Sequence, residues 1–565
     1  VRAWFEEWPD LERWELERFD ARGLPAEVDE LEHARGIMVV RSEIAYRGEM
    51  VPIEIRYPSE YPELPPLVYG PLGLLDRHQH VFDGNFCLLE SPMDSWNSAD
   101  WGAADLIAEQ LRALLDDSAA GPETVAAREA PMAEPVTIYY EHPLGPVMLM
   151  DDRLAAPDGA SGELTIRVWD EQRLRMAIEA IDGTPGDPRW LELVPRARAV
   201  SGRWLRIPGP PPGPTANDVL HWLRTEYPDF APRMLPPKLQ NSRHITAPPI
   251  QVIGLLFDEE RYDVGARHPA WLFLALHQQA PLLVHHMLID SDERFRRAPG
   301  LKPLTDKRVL IVGAGTLGGH VAVELARAGV GKIAVADFDR YEFGNSIRHA
   351  LPFEALGLGK AEAVAIAIRR TNPYCDVQAH QLMLGAVRFN RPPIEDLEKL
   401  VRDADIVVEG TGSQQIAALV ARVSRSLERP MVTAGMTNGY LGADVARIIP
   451  NLTCCYVCFA HRQRAGTLAT PEEGDAPAVG AHGCSHPAVI GSGFDALEVA
   501  AVTTRLTIQT LLDGNGYPQS PWDHAAFSFL RVANSVDRQR VVTESLPSTE
   551  ECMTCGASAG FVAAR

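Results

Sequence analysis

Three hydrophobic rhythms succeed one another along the 565-residue chain. Near its start, Val51, Ile53, Ile55 and Tyr57 alternate with Pro52, Glu54 and Arg56, the period-two signature of a strand buried on one face, and a helix is expected from about Asp105 to Asp116. The middle third carries no recognisable motif. Its most apolar stretch, Trp271 to Ile289, is interrupted by His277, Gln278, Gln279, His285 and His286, which argues against a membrane span. From Thr305 the texture becomes strand, glycine turn, helix: Val309-Leu310-Ile311-Val312 is a short apolar run suited to a strand covered on both faces. Leu317, Val321, Leu325 and Ala328 then repeat at near-helical spacing, and a second apolar run covers Ile333 to Ala336.

A chain this long exceeds one core, and about 150 residues per domain gives roughly three or four units. The Ala/Pro/Gly/Glu stretch Ser118 to Pro135 marks a seam, and the proline run Pro208 to Pro214 reads as a stiff loop. The expected domains are an α+β unit over residues 1–125, an α/β linker or docking unit over residues 126–293 and an α/β unit over residues 294–565. Lys+Arg 54 against Asp+Glu 76 leaves a net charge of −22, which repels phosphate backbones and anionic membranes and excludes nucleic acid as the expected partner. No basic, apolar, small-residue succession opens the sequence. The eight cysteines, several in Cys-x-x-Cys pairs, suit a reducing, cytoplasmic setting better than a disulfide framework.

Gly313-Ala314-Gly315-Thr316-Leu317-Gly318 follows the apolar strand and opens a helix. Glycines allow the backbone close to a phosphate, and the helix N-terminus supplies N–H groups with partial positive charge. The second apolar run ends in Asp337, a carboxylate suited to ribose hydroxyls. A dinucleotide would satisfy this much. Asp337-Phe338-Asp339 leads on to Asn345-Ser346-Ile347-Arg348 and then Gly357-Leu358-Gly359-Lys360, however, and two fixed cations suit ATP with its pyrophosphate leaving group.

From about Arg294 onward the chain resembles the ubiquitin-activating enzyme superfamily, including the ThiF/MoeB-type adenylyltransferases that activate sulfur carriers. The resemblance implies a Rossmann-like adenylating domain in which Gly313, Gly315, Gly318, Asp337 and Asp339 belong to the ATP site. It also implies that Asn345, Arg348 and Lys360 contact the phosphates, Arg348 and Lys360 serving catalysis. One family residue is missing: the Asp that binds Mg²⁺ falls at Gly412 in Glu409-Gly410-Thr411-Gly412-Ser413, so Glu409 or Asp339 substitutes, or metal binding is altered.

The paired cysteines Cys455/Cys458 and Cys552/Cys555 offer the four-thiolate shell that Zn²⁺ favours in structural sites, while Cys454 and Cys375 read as core thiols. Cys484 lies in an Ala/Gly/Pro/Glu-rich region between His482 and His486. By the family resemblance it occupies the mobile crossover loop whose thiol attacks the acyl-adenylate.

The N-terminal order of strand, Tyr61-Pro62-Glu63-Leu64-Pro65-Pro66, Asp83-Gly84-Asn85-Phe86-Cys87-Leu88 and then Trp96 and Trp101 resembles the ubiquitin-conjugating fold over about residues 1 to 125. Cys87 falls on that family's thioester cysteine. Arg77-His78-Gln79-His80 replaces the His-Pro-Asn whose Asn assists the oxyanion, so His78, Gln79 or His80 stands in or transfer proceeds differently.

Together these resemblances imply a fused activating and conjugating enzyme, as in bacterial CBASS anti-phage operons. ATP adenylates a protein's C-terminal glycine-like tail, Cys484 takes the acyl group, Cys87 receives it, and an amine accepts it. The implied protein substrate is a cGAS-like nucleotidyltransferase, with a separate deconjugating peptidase. A homodimer is expected, in which Arg294 or Arg297 of one copy completes the other's ATP site. The alternative is a ThiF/MoeB-like sulfur-carrier adenylyltransferase with a catalytically inactive N-terminal binding domain. Neither the acceptor amine nor the role of the middle domain is legible.

Overall fold

The computed structural model describes residues 2–89, 96–97, 100–120, 133–151, 154, 160–196, 198–232, 250–262, 265–278, 280–385, 392–437, 441–471, 479–480, 487–488, 491–529, 540–548 and 552. They form two compact units, Val1–Ile289 and Asp290–Arg565.

The two largest cores of the first unit are separate. Helix α1 (Pro9–Ala21) packs on a four-stranded antiparallel sheet of β1 (Glu27–Val28), β2 (Val39–Tyr46), β3 (Glu49–Arg56) and β4 (Leu67–Tyr69). The expected alternation is met: Val51, Ile53 and Ile55 of β3 point inward, opposite the inward Ser42 and Ile44 of β2. The expected helix near Asp105 begins at Ala103, passes through a π-helical stretch at Leu106–Leu111 and ends in α2 (Arg112–Ala120). Its Ile107, Leu111 and Leu115 seal the sheet. One buried carboxylate links these pieces: Glu15 of α1 accepts hydrogen bonds from the Tyr57 and Tyr61 hydroxyls and from the Ala103 N–H at 3.1 Å.

The second core of this unit is a strand ring. β5 (Val147–Asp151), β6 (Ser161–Asp170), β7 (Arg175–Ile181), β8 (Thr184–Pro185), β9 (Arg198–Arg206), β10 (Gln251–Glu260), β11 (Arg267–His277) and β12 (Ala280–Ile289) run in the order β5-β12-β11-β10-β9-β6-β7-β8. β5 also pairs with β7, so the sheet closes on itself around Trp204, Trp271 and Phe273. The expected α/β linker is thus mainly strand, with helix α3 (Ala216–Glu226) packed outside. Val219, Leu220 and Leu223 of α3 cover Leu255, Phe257, Leu272 and Leu274. That cover explains the unbroken apolar run in β11, whose residues Ala270 to Ala275 are buried on both faces. Among the described residues no helix is long and apolar enough to cross a membrane.

The second unit is doubly wound. Its sheet contains β13 (Arg308–Val312), β14 (Lys332–Asp337), β15 (Asp376–Gln381), β16 (Ile406–Glu409), β17 (Met431–Met436), β18 (Gly442–Ile448), β19 (His524–Ser528) and β20 (Arg540–Glu544), in the order β15-β14-β13-β16-β17-β18-β19-β20. The strands from β15 to β17 are parallel, and the last three joins are antiparallel. Helices α4 (Thr316–Ala328), α5 (Lys360–Thr371) and, late in the chain, Gly493–Leu511 build the core on one face of the sheet. α6 (Pro393–Asp403) and α7 (Gln414–Ser426) cover the other. After β13 the chain proceeds to β14 and β15 on one side, then returns to β16 on the other. The crevice at the carboxyl ends of β13 and β16 is therefore the topological switch point at which such sheets bind ligands.

Replacing Glu15 by Ala would leave two tyrosine hydroxyls and a buried N–H without an acceptor. At about 1–3 kcal/mol for each orphaned group, Glu15→Ala is expected to destabilise this part of the first unit by about 3 kcal/mol or more, with Glu15→Gln costing less. Urea unfolding followed by tryptophan fluorescence measures the difference.

Candidate functional site

Each glycine of the turn at the switch point has a separate steric reason. Gly313 has φ +89, and a Cβ there would lie 2.8 Å from Thr411. A Cβ on Gly318 would sit 1.8 Å from the Gly313 carbonyl oxygen, whereas one on Gly315 would meet nothing within 4 Å. Two glycines are thus required by packing, and the third presents bare backbone to open space at the start of α4, which no side chain caps. This is the geometry of a phosphate-accepting helix N-terminus.

Asp337, at the end of β14, braces that turn. Its Oδ2 accepts the Ala314 N–H at 2.6 Å and its Oδ1 accepts the Asp339 N–H at 2.7 Å. Asp339 in turn pairs with the Lys360 ammonium, and its backbone oxygen accepts the Lys360 N–H at 2.9 Å. Asn345 accepts the Glu342 N–H at 3.0 Å, closing the short turn that carries Arg348. The structure therefore gathers Gly313, Gly315, Gly318, Asp337, Asp339 and Lys360 around one turn.

Sequence reading passed over His349. Its ring is buried under the turn, and its Nε2 donates to the Ala314 carbonyl at 2.8 Å. Burial first, then the positive charges of Lys360, His320 and Arg348, hold its pKa down to about 4. A neutral His349 thus packs beneath the turn while the Lys360 and Arg348 charges act on it from close by. Its adjacency to Arg348 was the one available clue.

Glu409 takes a different role from the metal ligand considered for it. It is buried at the end of β16, where Oε1 accepts the Thr411 N–H at 2.9 Å and the Thr411 hydroxyl, and Oε2 accepts the Thr433 hydroxyl at 2.8 Å. Burial raises its pKa. Gly412 has φ +72 with open space where a Cβ would be. Of the two carboxylates considered as replacements, Asp339 is the accessible one.

Arg294 serves its own chain: its guanidinium donates to the carbonyls of Ala326 and Arg327, at 3.1 and 2.8 Å, at the C-terminal end of α4. Arg297, the other arginine considered for a partner's site, is exposed.

Cys455, Cys458 and Cys552 bring their sulfurs within 4.8 Å of one another. Cys455 caps α8 (Tyr456–Arg464), and Cys458 lies in the first turn of that helix. The Cys455–Cys552 sulfur separation is 3.8 Å, which matches the edge, about 3.8 Å, of a tetrahedron with Zn–S bonds of about 2.3 Å. The three thiols fit a zinc site. Cys555 and Cys484 lie outside the described residues. Cys454 is in a small core with Ala446, Phe459, Leu468 and Leu546, and burial pushes the Cys375 thiol up to about 12, as suits core thiols.

In the first unit, Cys87 is exposed, and its N–H donates to the His78 carbonyl at 2.8 Å. Gln79 is buried, with Oε1 accepting Leu75 N–H at 3.0 Å and Nε2 donating to the Pro71 and Gly84 carbonyls at 2.9 and 3.2 Å. Its amide holds the loop together. His80 Nδ1 accepts the Phe82 and Asp83 N–H groups, both at 3.2 Å. His78 is held by Glu134, which accepts its Nδ1–H at 2.9 Å and its backbone N–H at 2.9 Å. Burial pushes the Glu134 carboxyl up, but the hydrogen bonds and charge of His78, with the charge of Arg77, bring it below the usual range. Arg77 itself forks onto both oxygens of Glu260 at 2.6 Å.

Substituting Cys552 by Ser should lower bound zinc and the thermal midpoint of the second unit, because a structural zinc contributes on the order of 10 kcal/mol. Elemental analysis and calorimetry with and without chelator check both, and Cys454→Ser should retain the metal.

Residues 292–525 match the ThiF family, and residues 16–144 match Prokaryotic E2 family B. The chain is 27% identical to the uncharacterized protein y4oA of Sinorhizobium fredii over 99% of this chain and 98% of that one. It is 28% identical to the ATP-dependent ubiquitin transferase-like protein Cap2 of Enterobacter hormaechei, over 38% of this chain and 34% of that protein. The crystal structure of E. coli MccB with ATP aligns at 22% identity over 46% of this chain and 69% of that one, with a TM-score of 0.35. With a ThiF domain in its second unit and a prokaryotic E2 domain in its first, the chain is a fusion of ubiquitin-conjugating-like and ubiquitin-activating-like modules.

Proposed function

We propose that the chain activates the C-terminus of a protein with ATP and passes it through two thioesters to an amine. The observation that carries this reading is the open backbone at Gly315, at the sheet's switch point, with the Lys360–Asp339 pair beside it. ATP lies with its phosphates at the start of α4 and its ribose toward Asp337. Lys360, Arg348 and Asn345 face the phosphates and offset the charge that develops on pyrophosphate. A carboxylate oxygen of the protein substrate attacks the α-phosphorus, the bond to the β-phosphate oxygen breaks, and pyrophosphate leaves.

Asp339 is the carboxylate that would hold Mg²⁺, which supplies charge neutralisation for the phosphates. Zinc on Cys455, Cys458, Cys552 and Cys555 would be structural. The Cys484 thiolate attacks the acyl carbon and displaces AMP. The Cys87 thiolate then attacks that carbon and displaces Cys484, an exchange between like bonds for which tethering both thiols on one chain raises the effective concentration. An amine attacks last and releases Cys87.

Cap2 is by its name an ATP-dependent ubiquitin transferase-like protein, and its similarity to this chain supports the same class of reaction here. On the resemblance to CBASS fusions, the activated protein is a cGAS-like nucleotidyltransferase, with a separate peptidase reversing the conjugate in the cytoplasm. The active form is a homodimer. Phe343, Ile347, Phe353 and Phe494 are 69%, 75%, 71% and 76% exposed around the turn that carries Arg348, an apolar face suited to a second copy.

Incubation with ATP, Mg²⁺ and a candidate protein ending in glycine should give reducible adducts on the wild type. Cys484→Ala should give none and Cys87→Ala a single adduct on Cys484. An adduct on Cys87 in the Cys484→Ala protein overturns the order of transfer. Loss of function confined to Cys484→Ala, with full activity in Cys87→Ala, would instead favour a sulfur-carrier adenylyltransferase.

Lys360→Ala should slow ATP–pyrophosphate exchange by about a hundredfold or more, the scale of removing one fixed transition-state donor. Ile347→Glu together with Phe494→Glu should convert a dimer to a monomer in sedimentation experiments.

A further inference from the structure

His78 occupies a backbone region that residues with a side chain seldom enter. Its φ is +59, left-handed, where a Cβ crowds the following carbonyl oxygen. Such a conformation persists only where the surroundings over-determine it, and here both peptide groups flanking the His78 Cα are tied down. The His78 N–H donates to both oxygens of Glu134, at 2.9 and 3.1 Å, and the His78 carbonyl accepts the Cys87 N–H at 2.8 Å. The ring adds a third tie, its Nδ1 lying 2.9 Å from Glu134 Oε1.

Cys87 therefore takes its place from His78. The two residues face each other across a short antiparallel pairing, in which Gln79 bridges to Phe86 and the His80 N–H donates to the Asn85 carbonyl at 2.7 Å. With the His78 N–H fixed on Glu134, rotation about the N–Cα bond toward negative φ would swing the carbonyl off the Cys87 N–H. Glu134 is itself anchored at the end of β10. Its own N–H donates to Glu260 Oε2 at 3.0 Å, on the carboxylate onto which Arg77, the neighbour of His78, forks at 2.6 Å. Three residues on, Thr137 donates its N–H and hydroxyl to Glu259 at 2.9 and 2.8 Å. The grip on His78 thus comes from the strand ring and not from the core that carries Cys87.

We propose that Glu134 is a positioning residue of the Cys87 site: by holding His78 left-handed it places the Cys87 backbone, and with it the thiol, for acyl transfer. This rests on the reading of Cys87 as a thioester cysteine. Glu134 acts through His78 and touches neither the acyl group nor the amine.

The test bypasses adenylation. Full-length Cys484→Ala protein is loaded from an N-acetyl-glycylglycine thioester of mercaptoethanesulfonate, freed of donor and discharged with lysine. The lysine nitrogen attacks the thioester carbon, the C–S bond breaks, and the departing Cys87 thiolate takes up the proton that the nitrogen sheds. Peptide mass mapping follows the acyl group on Cys87, and loss without lysine is subtracted as hydrolysis. Glu134→Ala is expected to slow discharge by about tenfold or more, the scale of a small misplacement of a reacting group. Glycine enters the left-handed region without a Cβ penalty, so in a His78→Gly background the same substitution should change the rate by less than about threefold. An equal loss in both backgrounds overturns the proposal, as does an unchanged rate for Glu134→Ala beside His78. Circular dichroism verifies each fold, and should Glu134→Ala not fold, Glu134→Gln, which keeps a single acceptor oxygen, carries the same comparison. Failure of Cys87 to load, in protein whose Cys87 is alkylated by iodoacetamide, overturns instead the thioester reading on which the role rests.

Discussion

The Asp337 carboxylate is the constraint on which the nucleotide end of the molecule depends. One oxygen takes the Ala314 N–H and thereby sets the glycine turn. The other takes the Asp339 N–H and thereby sets the carboxylate that holds Lys360. A single side chain at the end of one strand thus fixes the phosphate-facing backbone and, through one intermediary, the nearest cation. Charged acceptors make stronger hydrogen bonds than neutral ones, which suits a carboxylate to this bracing. His349 completes the arrangement from below by holding the Ala314 carbonyl, so both polar groups of Ala314 are tied down while Gly315 beside it faces open space.

The thiol end is organised on the same plan with other residues. Gln79 spends its amide on the Leu75, Pro71 and Gly84 backbone, which shapes the loop but keeps that amide from serving as a donor to substrate. Anchoring then comes from outside the conjugating-like core. Arg77 forks onto Glu260 of β10, and Glu134 links His78 to the same Glu260. The middle segment therefore acts as a buttress for the Cys87 loop, a role that its motif-free sequence concealed.

Local signals were legible and distant ones were not. The alternation of Val51, Ile53 and Ile55, the apolar Val309 to Val312 and the glycine turn each depend on neighbours within a few residues, so sequence alone placed them correctly. The strand ring was illegible because α3 covers the outer face of β11, which erases the alternation that would have marked an exposed sheet. Glu134 fell inside a stretch that read as a seam, and its partners His78 and Glu260 are remote in sequence. Glu409 looked like a substitute metal ligand because its type and position suited one. Only its contacts with Thr411 and Thr433 show that it is committed to the sheet end.

The glycine at position 412 changes the charge balance of the nucleotide site. With Glu409 buried and accepting three hydrogen bonds from Thr411 and Thr433, Asp339 is the carboxylate that faces Lys360, and the pair is close to neutral as it stands. In the proposed reaction, phosphates at Gly315 would compete with Asp339 for the ammonium, and the low exposure of Lys360 sharpens that competition because its charge is poorly shared with water. Asp339 also accepts the Arg340 N–H at 2.8 Å, so the carboxylate is held in place independently of Lys360. One carboxylate, fixed by the backbone at one oxygen and paired with the ammonium at the other, thus sets where Lys360 points at the switch point.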